Sequence, residues 1–586
     1  MGIVRVGVPV RTPEEDRVTT TAATTTAQAI DERTDYSTQL SSRTKILILA
    51  GVLLGLFLAA LDQTVVATAL PAIIADLQGI DLLAWVSAGY LIASTTTVPI
   101  YGKLSDLFGR RSIVLFGMAV FLIGSALCGL AASMLQLILF RVIQGIGAAA
   151  LTSSAFAVPA DLFAPAERPR YMGLFGGVFA LSSVIGPYLG GLLTDTLSWR
   201  WVFYVNVPIG VVAIAFVLAK MPRLVSGRRA PLDWAGTIGL IVAVVPLLLG
   251  LTLDRARYPW TSPLVLGLFA ASVAGLAAFI RIERRAVSPV IPLDMLANRT
   301  VAVISIASVL MGAALFGAIF FLSIFMVNVV GVSATAAGTT LVPVTLGLVA
   351  GATISSQIVH RVGRYKVMIL LGAVGAVAGF ILLASMDETV TRAGVVWRMV
   401  VLGLGLGPTM PLLTLAVQNA VPFQRVGAAT AGRQFFTQIG GAIGLAIFGV
   451  VLSTTLTVQL QRELAPLLAR LPAEARQQID LTRLRSGYGS AAAVRAPARA
   501  AGPATTSTAP GPGTLPPAVA GQVRQAVRRA FAVSVTRIYT FAGGLAVVAL
   551  LVLTALPEIP LRRTNAPPPS ASPNVSSAWV SERPRE

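Results

Sequence analysis

Apolar windows of about 20 residues, the length that crosses a bilayer as a helix, recur along this chain near 46–69, 82–101, 112–132, 135–158, 170–193 and 202–219. They recur again near 234–251 and 263–280, and then near 300–325, 335–358, 366–385, 396–418, 428–453 and 534–556. That repetition leaves few folds open. In lipid every backbone N–H and C=O must be satisfied inside the protein, so spans of this length are helices. With 55% hydrophobic residues, 12% charged residues and a mean hydropathy of +0.79, a soluble globular domain is excluded. The expectation is an all-α polytopic membrane protein with fourteen transmembrane helices.

Charge sets the topology. The net charge of +20 has no continuous basic face to offer nucleic acid; its Lys and Arg fall in short connections and in one long arginine-rich loop. With the N-terminus inside, the inner connections hold Lys103, Arg110, Arg111, Arg168, Arg170, Lys220, Arg223, Arg228, Arg229, Arg281, Arg284, Arg285, Arg361, Arg364, Lys366 and Arg425. The outer short loops hold only Arg200, Arg255, Arg257 and Arg392. This asymmetry predicts both termini in the cytoplasm. The Thr-rich first 45 residues lack the apolar middle of a secretory signal, so the first span is expected to stay in the membrane. One cysteine, Cys128, excludes an intramolecular disulfide framework.

The chemistry concentrates at Asp62, a carboxylate deep in the first span (Leu61-Asp62-Gln63-Thr64). A charge at that depth costs about 2.5–3.5 kcal/mol even on a lenient insertion scale, which makes it a functional candidate by default. Counted at 1.5 Å per residue, Asp62 lies roughly 24 Å from the inner face and Arg141 of span four roughly 21 Å. The two can therefore pair. Burial favours the proton on Asp62 and a neighbouring Arg141 opposes it, so a cationic cargo could compete with H⁺ there. An ion pair that merely packs two helices is the alternative. Arg398 and Arg433 are placed near span ends, where they would snorkel.

A repeat runs through the chain. Gly102-Lys103-Leu104-Ser105-Asp106-Leu107-Phe108-Gly109-Arg110 after span two matches Ser356 to Arg364 after span ten, and Arg141 with Gly145 and Gly147 is echoed by Arg398 with Gly403 and Gly405. Two related halves suit a transporter that rocks one bundle against another. The expected domains are a disordered cytoplasmic tail (1–45), a six-helix bundle (46–220), two extra transmembrane helices (221–299), a second six-helix bundle with an outer loop at 457–533 (300–556), and a disordered tail (557–586). Within the outer loop, Gln459 to Arg485 reads as helical and Ser490 to Pro517 as a low-complexity linker.

Leu61 to Pro71, Gly102 to Arg111, Arg141 to Gly147, Gly186-Pro187-Tyr188-Leu189-Gly190-Gly191, and Pro289 to Leu293 stand in this order on the fourteen spans. Together they resemble the major facilitator superfamily, in its fourteen-helix drug:proton antiporter branch. The resemblance covers about residues 45–456 plus the last span, although Asn usually replaces Ala67 or a neighbour. It implies proton coupling through Asp62 and Arg141. It implies a latch between the halves at Gly102, Asp106, Gly109, Arg110 and Arg111, where the glycines permit a tight turn and Asp106 can accept from Arg110 or from a helix N-terminus. It implies an antiporter hinge at Gly186, Pro187, Gly190 and Gly191, and a substrate cavity lined by Gln144, Phe316, Phe320, Met410, Gln418, Asn419 and Gln438. His360 makes the second loop unlike the first, and reads as a surface histidine.

The expected function is a proton-coupled antiporter that exports amphiphilic or cationic toxic compounds across a bacterial cell membrane. The alternative cargo is a lipid or another endogenous amphiphile. A monomer in lipid, without cofactor, metal or nucleic acid, is expected. Neither a paired intramembrane carboxylate, an HExxH pattern nor a GxxxxGK[ST] loop occurs in the sequence, so an enzyme is not expected.

Overall fold

A computed structural model describes residues 36–78, 82–222, 231–255, 257–332, 341–469 and 517–562. The readings for the first 35 residues, for Arg223, Arg228 and Arg229, for residues 470–485 of the expected helical stretch, for the linker at 490–516 and for the tail from 563 fall outside these residues. The helices run α1 (Ser42–Leu77), α2 (Leu83–Phe108), α3 (Arg110–Gly129), α4 (Met134–Leu162), α5 (Arg168–Thr196), α6 (Trp201–Lys220), α7 (Trp234–Thr252), α8 (Pro263–Glu283), α9 (Arg299–Val330), α10 (Val342–Val362), α11 (Lys366–Ala384), α12 (Arg392–Ala420), α13 (Val426–Ala469) and α14 (Pro517–Thr554). By length and apolar composition 13 of them qualify as spans among the described residues; the other, α2, is 26 residues long and more polar, with Ser94, Thr95, Thr96, Thr97 and Lys103. A turn of helix at Tyr36–Gln39 and the start of α1 at Ser42 replace the end of the expected disordered tail.

Polar caps mark where the helices start. The side chains of Ser41, Ser133, Asp233, Ser262, Asn298 and Thr391 each accept a backbone N–H from the turn that follows, satisfying donors a helix start would otherwise leave bare.

Small residues then set the packing. A Cβ built on Gly145 would press on the backbone of Tyr90 in α2, and one on Gly147 would lie 2.7 Å from Phe121 Cα in α3. Gly403 and Gly405 of α12 meet α10 at Gly347 and α11 at Ala376 in the same way. The echo seen in the sequence is thus a packing echo: α4 is wedged between α2 and α3 as α12 is between α10 and α11. Without a hydrophobic drive between helices in lipid, such close approach supplies the association.

The two halves meet along α2 with α13 and along α5 with α10, where Gly102 touches Ala431 and Gly173 touches Thr353. The hairpin α7–α8 docks across the first of these seams. Leu240, Ala243, Val244 and Leu248 of α7 share one apolar cluster with Ala88 and Ile92 of α2 and Phe435 of α13.

One end of the molecule differs from expectation. At 44 residues α13 is about 66 Å long, more than twice a hydrocarbon core of about 30 Å. It continues beyond 457 as one helix, and α14 begins well before its apolar stretch. Leu456, Leu460 and Leu464 of α13 pack there on Val523, Val527 and Phe531 of α14. The connection expected at 457–533 is therefore shortened at both ends by a two-helix stalk, held by an apolar stripe of four-residue spacing. Arg529 ties the stalk to Glu388 at 2.9 Å.

Gly147→Leu is expected to cost about 1–3 kcal/mol by forcing α3 from α4. Gly449→Leu, with open space at its Cα, should cost little. Thermal unfolding of the purified protein in detergent compares the two.

Candidate functional site

Asp62 sits fully buried midway along α1, and donors from two other helices converge on it. Arg141 Nη1 lies 2.5 Å from Asp62 Oδ2, and Gln144 Nε2 donates to Oδ1 at 2.8 Å. Asn206 Nδ2 of α6 donates to the same Oδ1 at 3.2 Å. Arg141 also donates to Gln144 Oε1 (2.8 Å) and to the Val86 carbonyl, and its guanidinium stacks 4.3 Å from the Tyr90 ring. Ser125 of α3 accepts from Asn206 and donates to the Phe203 carbonyl. An ionised carboxylate is acceptor-only and suits all three donors. A proton on Asp62 would take the remaining lone-pair site and remove the charge that pairs with Arg141.

Arg141 and Gln144 share one face because they are three residues apart on α4. The depth count from sequence brought Asp62 to Arg141; it did not bring Asn206. The signal available was a polar side chain in the sixth apolar window, in Asn206-Val207-Pro208.

The α2–α3 connection holds the second cluster. Arg110 is fully buried, 2.7 Å from Asp106 and 2.8 Å from Asp161 of α4, and it donates to Ser105 Oγ. Asp106 Oδ2 accepts the N–H of Ala428 at 3.0 Å, in the first turn of α13. The carboxylate thereby faces the positive end of a helix across the seam as well as its own arginine. Gly109 has φ 85°, the turn that lets α3 start one residue after α2 ends. Gly102 lies against Ala431 and the Gly427 carbonyl. Arg111 donates to the Leu218 carbonyl of α6 instead. Asp161 was not singled out by sequence, where it reads as an ordinary charge at a helix end.

Other links close the same end. Gln418 donates to the Phe156 carbonyl and to Thr430, and accepts from Arg168 at 3.4 Å. Asn419 donates to the Pro560 carbonyl (3.1 Å), and the Ala166 N–H donates to the Arg562 carbonyl (3.0 Å), so the segment after α14 spans both halves. His360 is exposed, its Nδ1 3.1 Å from the Ala166 carbonyl. In this structure the halves are fastened together at the latch end.

On α5, Gly186 and Gly190 press on Thr64 and Val65 of α1, within a turn of Asp62, and Thr64 donates to the Ser182 carbonyl. Gly191 faces open space, and α5 continues through Pro187. Of the seven cavity candidates, Gln144 alone enters the Asp62 network. Gln418 and Asn419 are buried in the links just described. Phe316 (39% exposed) lies over Gly441, Phe320 (43%) is edge-on to Phe321, and Met410 and Gln438 are half-buried. Arg433 does not snorkel: it is buried within α13 and donates to Thr437 Oγ1. The helix begins at Val426 and shares an apolar cluster with Val301 and Ile304 of α9 from its first turn, so Arg433 lies two turns inside a packed helix. Arg398 lies over Trp397 and donates to the Gly394 carbonyl.

Repeated helix bundles, a seam between them and a buried charge cluster beside it define a multi-pass membrane transporter. The chain belongs to the Major Facilitator Superfamily, whose family description matches residues 52–445. It is similar to the multidrug transporter protein MdtP of Bacillus subtilis (39% identical, over 74% of this chain and 80% of that one). It is likewise similar to multidrug resistance protein 3 of Bacillus subtilis (39%, over 73% and 83%). An uncharacterized MFS-type transporter of Mycobacterium tuberculosis is 32% identical over 89% of this chain and 71% of its own. In fold it resembles the proton:xylose symporter XylE (TM-score 0.54, 14% identity, 90% and 98% covered) and the human organic anion transporter MFSD10 (0.53, 14%, 87% and 99%).

Two outcomes test this geometry. Arg141→Leu leaves a buried carboxylate without its cation and is expected to cost about 3–5 kcal/mol; adding Asp62→Asn should recover most of the loss in detergent unfolding. Asp106→Asn weakens the bond across the seam, worth about 1.5–3 kcal/mol. It should raise alkylation of Ala431→Cys, in a Cys128→Ser background, roughly tenfold or more.

Proposed function

We propose that this transporter exports amphiphilic, often cationic, compounds in exchange for protons, with the latch end in the cytoplasm. The single observation that carries the reading is the Asp62 carboxylate, buried in an apolar bundle and held by Arg141, Gln144 and Asn206. A carboxylate buried in lipid is costly and weak evidence for stability, which favours a functional role over a packing ion pair. The relatives named for multidrug transport support the cargo class. The crowding of Lys and Arg at the latch end supports its cytoplasmic position.

The cycle follows from the charge on Asp62. Facing outward, Asp62 takes a proton, loses the charge that pairs with Arg141 and with it the attraction for a cationic cargo. Facing inward, with the latch open, it gives the proton to the cytoplasm and binds cargo again. With the latch end fastened as described above, Asp62 takes its access from the opposite side. Gly186 and Gly190 let α5 ride directly on the segment of α1 that carries Asp62, so a change there passes to the helix that meets α10.

In proteoliposomes with an internal pH dye, adding a cationic amphiphile should release protons in step with its uptake by wild type. Asp62→Asn should abolish that exchange by a hundredfold or so, about 2.7 kcal/mol. Full proton-driven exchange by Asp62→Asn would overturn the reading.

A further inference from the structure

A second pair of carboxylates lies apart from Asp62, where the α7–α8 hairpin closes. Asp233 caps α7 with one oxygen, Oδ1 accepting the Gly236 N–H at 2.7 Å, while its Oδ2 is buried and has no hydrogen-bond partner. Glu283, the last residue of α8, is 4% exposed. Its Oε1 accepts the N–H groups of Val290 (3.1 Å) and Ile291 (3.4 Å), and its Oε2 is buried and likewise without a partner. Both carboxyl groups converge on Gly236. A Cβ built there would lie 2.9 Å from Glu283 Oε1 and would collide with Asp233 Oδ2.

We infer that Asp233 and Glu283 form a proton-binding site separate from Asp62, holding one proton between them and tying its release to the latch helix α2. Two ionised carboxylates at such proximity repel each other, whereas one proton removes a charge and turns an orphaned acceptor into a donor. Capping alone leaves both orphaned oxygens unexplained: α7 needs only Oδ1, and the 290–291 turn needs only Oε1.

The surrounding charges point the same way. The groups that act on Glu283 from neighbouring elements are Asp233 and the Lys103 ammonium of α2. Asp106, one turn further along α2, is engaged with Arg110 and Ala428. From the α13 side, Arg425 pairs with Asp294 and Arg433 bonds Thr437. Arg281, Arg284 and Arg285 of α8 and its following turn are exposed. Val290 and Ile291, held by Glu283, pack in one apolar cluster with Ile100 and Leu104, which flank Lys103. When the proton leaves, two negative charges face that one ammonium, and the pull falls on the helix that carries the latch.

The test is infrared difference spectroscopy of purified full-length protein in lipid nanodiscs, reading the carboxylic-acid C=O band as the buffer is stepped between about pH 5 and about pH 8. The variants are Asp62→Asn, Glu283→Gln, Asp233→Asn and Gly236→Ala. Gln keeps an acceptor for Val290 and Ile291, so the turn is retained. Wild type and Asp62→Asn are both expected to show a titrating buried-acid band. Glu283→Gln should lose one carboxyl equivalent of it, and Asp233→Asn and Gly236→Ala should shift its midpoint. A band unchanged by Glu283→Gln, or one lost entirely in Asp62→Asn, overturns the inference. Because the readout is not transport, it stands or falls independently of the antiport reading.

Discussion

A carboxylate in the middle of an apolar bundle has to be met by donors from elsewhere in the chain, and for Asp62 those donors come from α4 and α6, with α3 holding Asn206 through Ser125. Four helices are thereby placed relative to one another by a single side chain. An unmet buried acceptor costs about 1–3 kcal/mol, more when it is charged, so this arrangement is specified far more sharply than apolar contact in lipid would specify it. Gly145 and Gly147 are the covalent counterpart of the same demand. They allow α4 to come close enough to α2 and α3 for Arg141 to reach across.

The chain thus keeps its strongest charge pairing inside one half and crosses between halves sparingly. Arg110 is held by two carboxylates, Asp106 and Asp161, both from the first bundle; what crosses to α13 is one backbone N–H onto Asp106. The other links across the seam are hydrogen bonds to amides and carbonyls: Gln418 to Phe156, Arg168 to Gln418, and Ala166 to Arg562, in the segment that Asn419 holds. Neutral bonds across the seam are worth about 1 kcal/mol each and the one onto Asp106 about 1.5–3. They can part without separating a buried ion pair, whereas a seam built on such pairs would leave each partner uncompensated. The economy of charge at the seam is what lets a bundle this tightly specified still move.

How much of this the sequence discloses depends on whether a residue's own position fixes its surroundings. The spans are legible because each is a long apolar run, and Asp62 with Arg141 is legible because depth can be counted along two straight helices. Asn206 and Asp161 are not: each is an unremarkable polar residue near a helix end until a partner from another helix is known. Gln418 and Asn419 show the opposite failure, since a polar side chain in a span looks the same whether it faces a cavity or bonds a neighbour. Arg433 stands near the start of the apolar run at 428–453, and its burial depends on neighbours from other helices. Gln459 to Arg485 reads as helical, but nothing in its own pattern says that it continues the span as one helix or that Val523, Val527 and Phe531 pack on it.

The extra hairpin α7–α8 makes the same physics visible at the seam. It touches α2 on one side and α13 on the other, so any parting of the halves must carry it with one of them or slide it past the other. Its contact is apolar on both sides, through Leu240, Ala243, Val244 and Leu248. In a bilayer such contacts are easily exchanged, because a lipid tail replaces a leucine side chain at little cost. What can bias the hairpin toward α2 is electrostatic, the facing of Glu283 and Lys103. The hairpin thus shares apolar contact with both halves and adds a charge contact to α2, an asymmetry that favours α2 as the side it keeps.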